Sequence, residues 1–224
     1  NTRPQALFLV GKSVVTPRVG SVTGSRIPAD SAGYKANLVP TFGYPPSDVS
    51  FTLGLGNDPR EVSIPVGRLS ARTGSDVTAY LGKVQSFEGF TVPEAWMKNI
   101  IHFRGGFTPG EWASLGAYLA QFKQIAQDTC FGGRVVDFVK NSSAIYQQAP
   151  ADSVAQLIDE EGVTLMTFFA HAAGGGFDIN IDNPANFAWN GKHPMIIGNS
   201  CYAGNIHLLQ ANSASEEFVL LPGK

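Results

Sequence analysis

The sequence predicts an α/β domain built on a largely parallel sheet, and three observations carry that expectation. Short β-rich apolar runs alternate with longer segments of helical period along most of the chain. Two runs, Val163-Thr-Leu-Met-Thr-Phe-Phe-Ala170 and Pro194-Met-Ile-Ile-Gly198, are apolar nearly throughout, as strands covered on both faces are. Glycines punctuate the runs, at Gly11, Gly105-Gly106 and Gly132-Gly133.

The elements follow in order. Ala6-Leu-Phe-Leu-Val10 reads as the first strand, and the glycine-, serine- and proline-rich stretch from Ser13 to Pro46 reads as a surface excursion. Val62-Ser-Ile-Pro-Val66 is a short strand whose Pro65 favours an edge or a strand end. Thr73 or Ser75 caps a helix carrying Val77, Tyr80, Leu81, Val84 and Phe87. Ile100-Ile-His-Phe103 is a strand. Pro109 then starts a second helix, with Trp112, Leu115, Leu119, Phe122 and Ala126 on one face as a core stripe. Val135-Val-Asp-Phe-Val139 is the next strand, and a helix over about 152–160 leads into the two long apolar runs.

Bulk properties narrow the function. The 224 residues show no repeat, low-complexity tract or clear linker, so a single domain over 1–224 is expected. With 43% apolar and 15% charged residues, the chain can bury a substantial core. A net charge of −2, with no basic block and no aromatic–basic stripe, argues against a nucleic-acid partner or an anionic membrane surface. No apolar run approaches the roughly 20 residues of a transmembrane helix. Cys130 and Cys201 are too few for a disulfide framework; one bridge and two free thiols both remain open. The abrupt opening at Asn1 and the close after Phe218-Val-Leu-Leu-Pro222 read as cuts through a longer protein.

Each long apolar run ends at a reactive side chain. His171 follows one and Cys201 lies just past the other, and ligands of open α/β sheets bind beyond the carboxyl ends of the strands. A thiol beside an imidazole is the minimal nucleophile and base pair: the imidazole favours the thiolate and later returns a proton to the leaving amine. Small residues, Ala172-Ala-Gly-Gly-Gly176 and Ala203-Gly204, leave backbone N–H groups open to a substrate carbonyl. The opposing reading makes Cys201 a small core residue and His171 a hydrogen-bonded loop residue.

Thr167-Phe-Phe-Ala-His171 and Pro194-Met-Ile-Ile-Gly-Asn-Ser-Cys-Tyr-Ala-Gly204 resemble the histidine and cysteine blocks of the gingipain-like cysteine peptidases, nearest to the type IX secretion system sortase branch. Pro46-Ser-Asp48, Ile64-Pro-Val-Gly-Arg-Leu-Ser-Ala71, Gly105-Gly106 followed by Glu111, and Phe131-Gly-Gly133 occur in the family's order. The resemblance implies a caspase-like three-layer α/β sandwich with a mostly parallel central sheet, truncated at one or both ends. It also implies a secreted or bacterial cell-surface location associated with the outer membrane. Cys201 would be the nucleophile and His171 its partner, with the N–H groups of Ala172 and Cys201 as the oxyanion site. The substrate would be a protein or peptide, with a surface glycan as a further acceptor if the chain acts as a sortase-like transpeptidase. An inactive caspase-like domain, serving as a binding or scaffold module in a secretion apparatus, is the alternative. The family has glycine where this chain has Ala170, and the added methyl predicts crowding at the strand end.

Asp178 is a candidate for orienting the His171 ring. Asp178-Ile-Asn-Ile-Asp182 alternates oxygen ligands but lacks the glycine and glutamate of a full calcium loop, so an extended segment is expected. No cofactor is required by the expected chemistry, although the family leaves room for a structural calcium. His102, His193 and His207 form no zinc spacing, and Gly174-Gly-Gly176 carries no phosphate fingerprint. Arg68 is expected to pair with Asp48 or Glu88.

Overall fold

The computed structural model describes residues 4–14, 32–41, 46–173, 176–181 and 183–223. Most of the expected Ser13–Pro46 excursion, Gly174-Gly175 and Asp182 fall outside them. The chain divides into two compact units, one holding the residues to Val77 with Ile206–Asn212, the other Thr78–Asn205 and the segment from Ser213.

In the first unit, β1 (Leu7–Val10) is followed by a short helix α1 (Ala32–Ala36) and then by β2 (Val66–Leu69), which pairs with β1 in parallel. The second ladder strand begins at Val66 rather than Val62. Pro65 has no N–H to give and contributes only its carbonyl, which accepts from Leu7, while Val62 makes an isolated bridge to Leu53. Arg68 on β2 is almost fully buried and donates to both Asp48 oxygens, at 2.7 and 2.6 Å. Its remaining Nη1 donates to the carbonyls of Gly11 and Val39, so one bidentate side chain ties three segments together. The helix α2 (Gly74–Glu88) begins as expected: the Thr73 hydroxyl accepts from the Asp76 N–H, and the Asp76 carboxylate accepts from the N–H groups of Arg72 and Thr73.

The second unit contains β3 (Asn99–Arg104), α3 (Pro109–Ala126), β4 (Arg134–Val139), β5 (Gln147–Gln148) and α4 (Ala151–Ala155), which runs on as a π-helical turn over Gln156–Glu161. Then come β6 (Leu165–Phe169), the short strands β7 (Ala172–Ala173), β8 (Gly176–Phe177) and β9 (Ile179–Asn180), β10 (Met195–Asn199) and α5 (Ala214–Val219). The central sheet is wholly parallel, in the order β10-β6-β3-β4. Such a sheet needs cover on both faces, and side-chain alternation shows what supplies it. Ile101 and Phe103, Met166 and Phe168, Val136 and Phe138 share one face by register. On it Phe168 stacks between Phe103 and Phe177, at 4.4 and 4.1 Å, and the core continues into Val154, Leu157, Ile158, Phe187 and Trp189. The opposite face takes α3, through Tyr118 against Phe169 and Lys123 paired with Asp137. Asp137 lies opposite His102 in the ladder and 3.4 Å from its Nδ1, so His102 is a core residue, with a pKa lowered chiefly by burial.

Two burial expectations change. The β6 run is covered on both faces, but β10 forms the sheet edge, and Met195 and Ile197, on the same face as α3 but beyond the strands it covers, are 68% and 41% exposed. The proposed α3 stripe buries only Leu119, because the helix covers β3 and β4 and leaves Phe122 largely in solvent. No helix among the described residues is long and apolar enough to cross a membrane.

Candidate active site

The parallel pairing of β6 with β10 places the reactive residues. The ladder ends with Phe169 opposite Asn199, so His171 and Cys201 each lie two residues beyond the last paired positions of adjacent strands. Adjacent strands run about 4.8 Å apart, which brings both residues to the same carboxyl end of the sheet. Cys201 is exposed and opens a turn over 201–204. Tyr202, next in the chain and within that turn, has φ 60°, an uncommon conformation for a residue with a Cβ. Cys130 is also a free, exposed thiol.

The His171 ring is held on two sides. One face stacks on Phe107, with centroids 4.7 Å apart and planes 18° apart, and Nε2 lies 3.5 Å from Glu111 Oε1. Glu111 arrives there because Thr108-Pro-Gly-Glu111 is a capping box at the start of α3. Its Oε2 accepts from the N–H groups of Phe107 and Thr108 at 2.6 and 3.2 Å, leaving Oε1 toward the imidazole. The Phe107 N–H is the main reason the Glu111 pKa is lowered, with the His171 charge a smaller contributor. Because the folded pKa lies below the unfolded one, this capping contribution is full above the ordinary glutamate range and is lost as pH falls through the lowered value. Glu111→Gln keeps an oxygen for the cap but loses its charge, so it should lower the melting temperature modestly and remove the carboxylate beside His171. Thr108→Ala should keep that carboxylate but lose the capping hydroxyl, costing about 1 kcal/mol in a urea titration.

The hydrogen bond from His171 to Asp178 comes from the main chain rather than from the imidazole. The Asp178 carboxylate accepts from the backbone N–H groups of His171 (3.0 Å) and Gly106 (2.8 Å) and from Lys140 Nζ at 3.1 Å. Proton donors therefore surround the group read as one end of a calcium-like run, and Ile179 and Ile181 are buried in the extended segment that follows. The Asp178 N–H donates in turn to the His171 carbonyl. That bond makes Ala172 and Phe177 the non-hydrogen-bonded pair of the β7–β8 ladder, whose own N–H and C=O groups point outward. The Ala172 N–H is thus turned away from the ladder, as an oxyanion donor must be. The methyl of Ala170 fits despite the expected crowding because it packs against Gly105, where a Cβ would meet it at 2.7 Å. Gly106 has φ +120° and lies against the Trp112 ring, so this position also requires glycine.

A cavity of about 440 Å³ is lined by Ile196 and Gly198 of β10 together with Ala203, Trp189 and Phe218. His193 and Lys83 border it, and burial there lowers the pKa of both, that of Lys83 to about 8.

A cysteine and a histidine at the ends of neighbouring parallel strands, in an open α/β sheet covered by helices, are features shared with cysteine peptidases of caspase-like architecture. The model of peptidase family C25 matches residues 1–224, and the chain belongs to that family. Among solved structures, the Arg-specific cysteine proteinase gingipain R (RgpB) superposes with a TM-score of 0.61 at 12% identity, over 97% of this chain and 45% of that one. The complex of Porphyromonas gingivalis RgpB pro- and mature domains matches with a TM-score of 0.56 at 10% identity, over 97% and 46%. The fold is thus the caspase-like one of gingipain, and the chain spans about 45% of the gingipain length. No curated protein matches the chain.

Proposed function

We propose that the chain carries a cysteine peptidase site in which Cys201 is the nucleophile and His171 its base. The observation that supports this reading most is the in-register pairing of β6 and β10, which delivers both residues to one end of the sheet. The Cys201 thiolate attacks the peptide carbonyl carbon, forming a C–S bond and an oxyanion facing the N–H groups of Cys201 and Ala172. The tetrahedral species collapses as the C–N bond breaks, and the His171 imidazolium gives its proton to the departing amine. Water or an amine then attacks the thioester, with His171 taking its proton, and the thiolate returns.

Water as acceptor gives an endopeptidase. An amine, such as one on a surface glycan, gives the sortase-like transpeptidase of a type IX secretion system that the sequence resemblance implies. A location at or beyond a bacterial outer membrane belongs to the same reading, and the chemistry calls for no metal or organic cofactor. The test is covalent labelling with a thiol-directed peptidyl inhibitor. The native chain should label at Cys201, with His171→Ala labelling far more slowly and Cys201→Ala not at all; equal labelling of native and Cys201→Ala proteins would favour a binding module instead. Adding a primary amine to a peptide assay and weighing the products then separates hydrolysis from transfer.

A further inference from the structure

Lys140 and Asp178 form an ion pair with side chains 0% and 3% exposed, directly behind the candidate histidine. Such burial rarely repays its desolvation cost, so an ion pair here contributes little to stability over an apolar pair of the same volume. Its geometry shows a different use. One carboxylate gathers the N–H groups of Gly106 and His171, two loops that follow different strands, β3 and β6. Lys140, the residue after β4, adds a third loop, and its ammonium also sits 3.9 Å from the centroid of the Phe107 ring that stacks on His171. The recess fits the pair closely: a Cβ on Gly105 would fall inside the Asp178 carboxylate.

Resting on the peptidase reading above, we propose that the buried Lys140–Asp178 pair is a positioning device for the site. It sets the main chain of His171, and with it the imidazole and the neighbouring Ala172 N–H, from the rear of the sheet. Neither residue touches substrate. The second role falls to Lys140, which fixes Phe107 as the platform for the ring, while Glu111 fixes the ring edge.

The experiment uses the two free thiols as reporter and reference, by alkylating the protein with iodoacetamide at pH 6 and counting adducts on Cys201 and Cys130 by peptide mass spectrometry. An imidazole placed to take a thiol's proton speeds its alkylation, so Cys201 should outpace Cys130 by more than about tenfold. His171→Ala should erase that ratio. Asp178→Asn should lower it severalfold. Lys140→Met/Asp178→Asn removes both buried charges, guards against unfolding caused by one unpaired charge, and should behave likewise with a preserved cooperative melt. A folded double variant that keeps the native ratio, while His171→Ala loses it, overturns the positioning role and leaves the catalytic pair standing. A native ratio that His171→Ala does not change overturns the pair, and the positioning role with it.

Discussion

Alanine at either Cys201 or His171 is expected to lower kcat/KM for peptide hydrolysis by about 10³-fold or more, with the double variant no worse than the poorer single one. In the proposed mechanism the two side chains act in one step: without the thiol no acyl-enzyme forms, and without the imidazole neither the thiolate nor the departing amine is served. Losses of this kind do not add, and non-additivity is the feature that distinguishes a working pair from two independent contributors. KM should move little, since neither group is needed to hold the remainder of the peptide. Cys130→Ala should leave the rate unchanged, because that thiol sits in the turn after α3, on the far side of the sheet order from β10. Steady-state kinetics on the four variants, each checked for a native melt, decide the matter.

The second large effect concerns the core rather than the chemistry. Phe168→Ala should destabilise the chain by about 3–5 kcal/mol, read as a drop in urea midpoint at nearly constant slope. Phe168 is fully buried on the central strand, flanked by the rings of Phe103 and Phe177 and approached by Phe218. Its removal leaves a ring-sized void between partners fixed by strand register, which cannot close without moving β6 against β3. His171 follows the same strand, two residues past its end, so activity should fall even in the fraction that stays folded. Phe168→Leu should recover most of the stability, since it restores much of the apolar volume.

The two candidate strand ends were legible because both strands are long apolar runs, and such runs have few other places in an α/β chain than the sheet. Register was not legible: nothing in either run says that Phe169 lies opposite Asn199. Glu111 carried a local signal, Thr108-Pro-Gly-Glu111, which marks a helix start, yet its reach to a histidine 60 positions later depends on tertiary packing alone. Lys140 gave no signal at all, since a lysine beyond a strand end is ordinarily solvated, and only the fold shows it closed in by Phe107 and Asp178. Asp178 was singled out correctly as a neighbour of His171, but its target is the main chain. The exposure of β10 was misjudged for a physical reason: hydrophobic composition reports that a strand belongs to a sheet, not whether a helix extends over its outer face.

The central claim is that Cys201, served by His171, forms a covalent acyl-enzyme. Its most direct measurement is rapid acid quench of the protein with an activated peptide ester, followed by intact-mass and peptide mass spectrometry. A transient adduct of the acyl mass is expected, mapped to Cys201, formed within the first turnover and slowed in His171→Ala by the same factor as hydrolysis. An adduct that is absent, or that falls equally on Cys130, would contradict the claim.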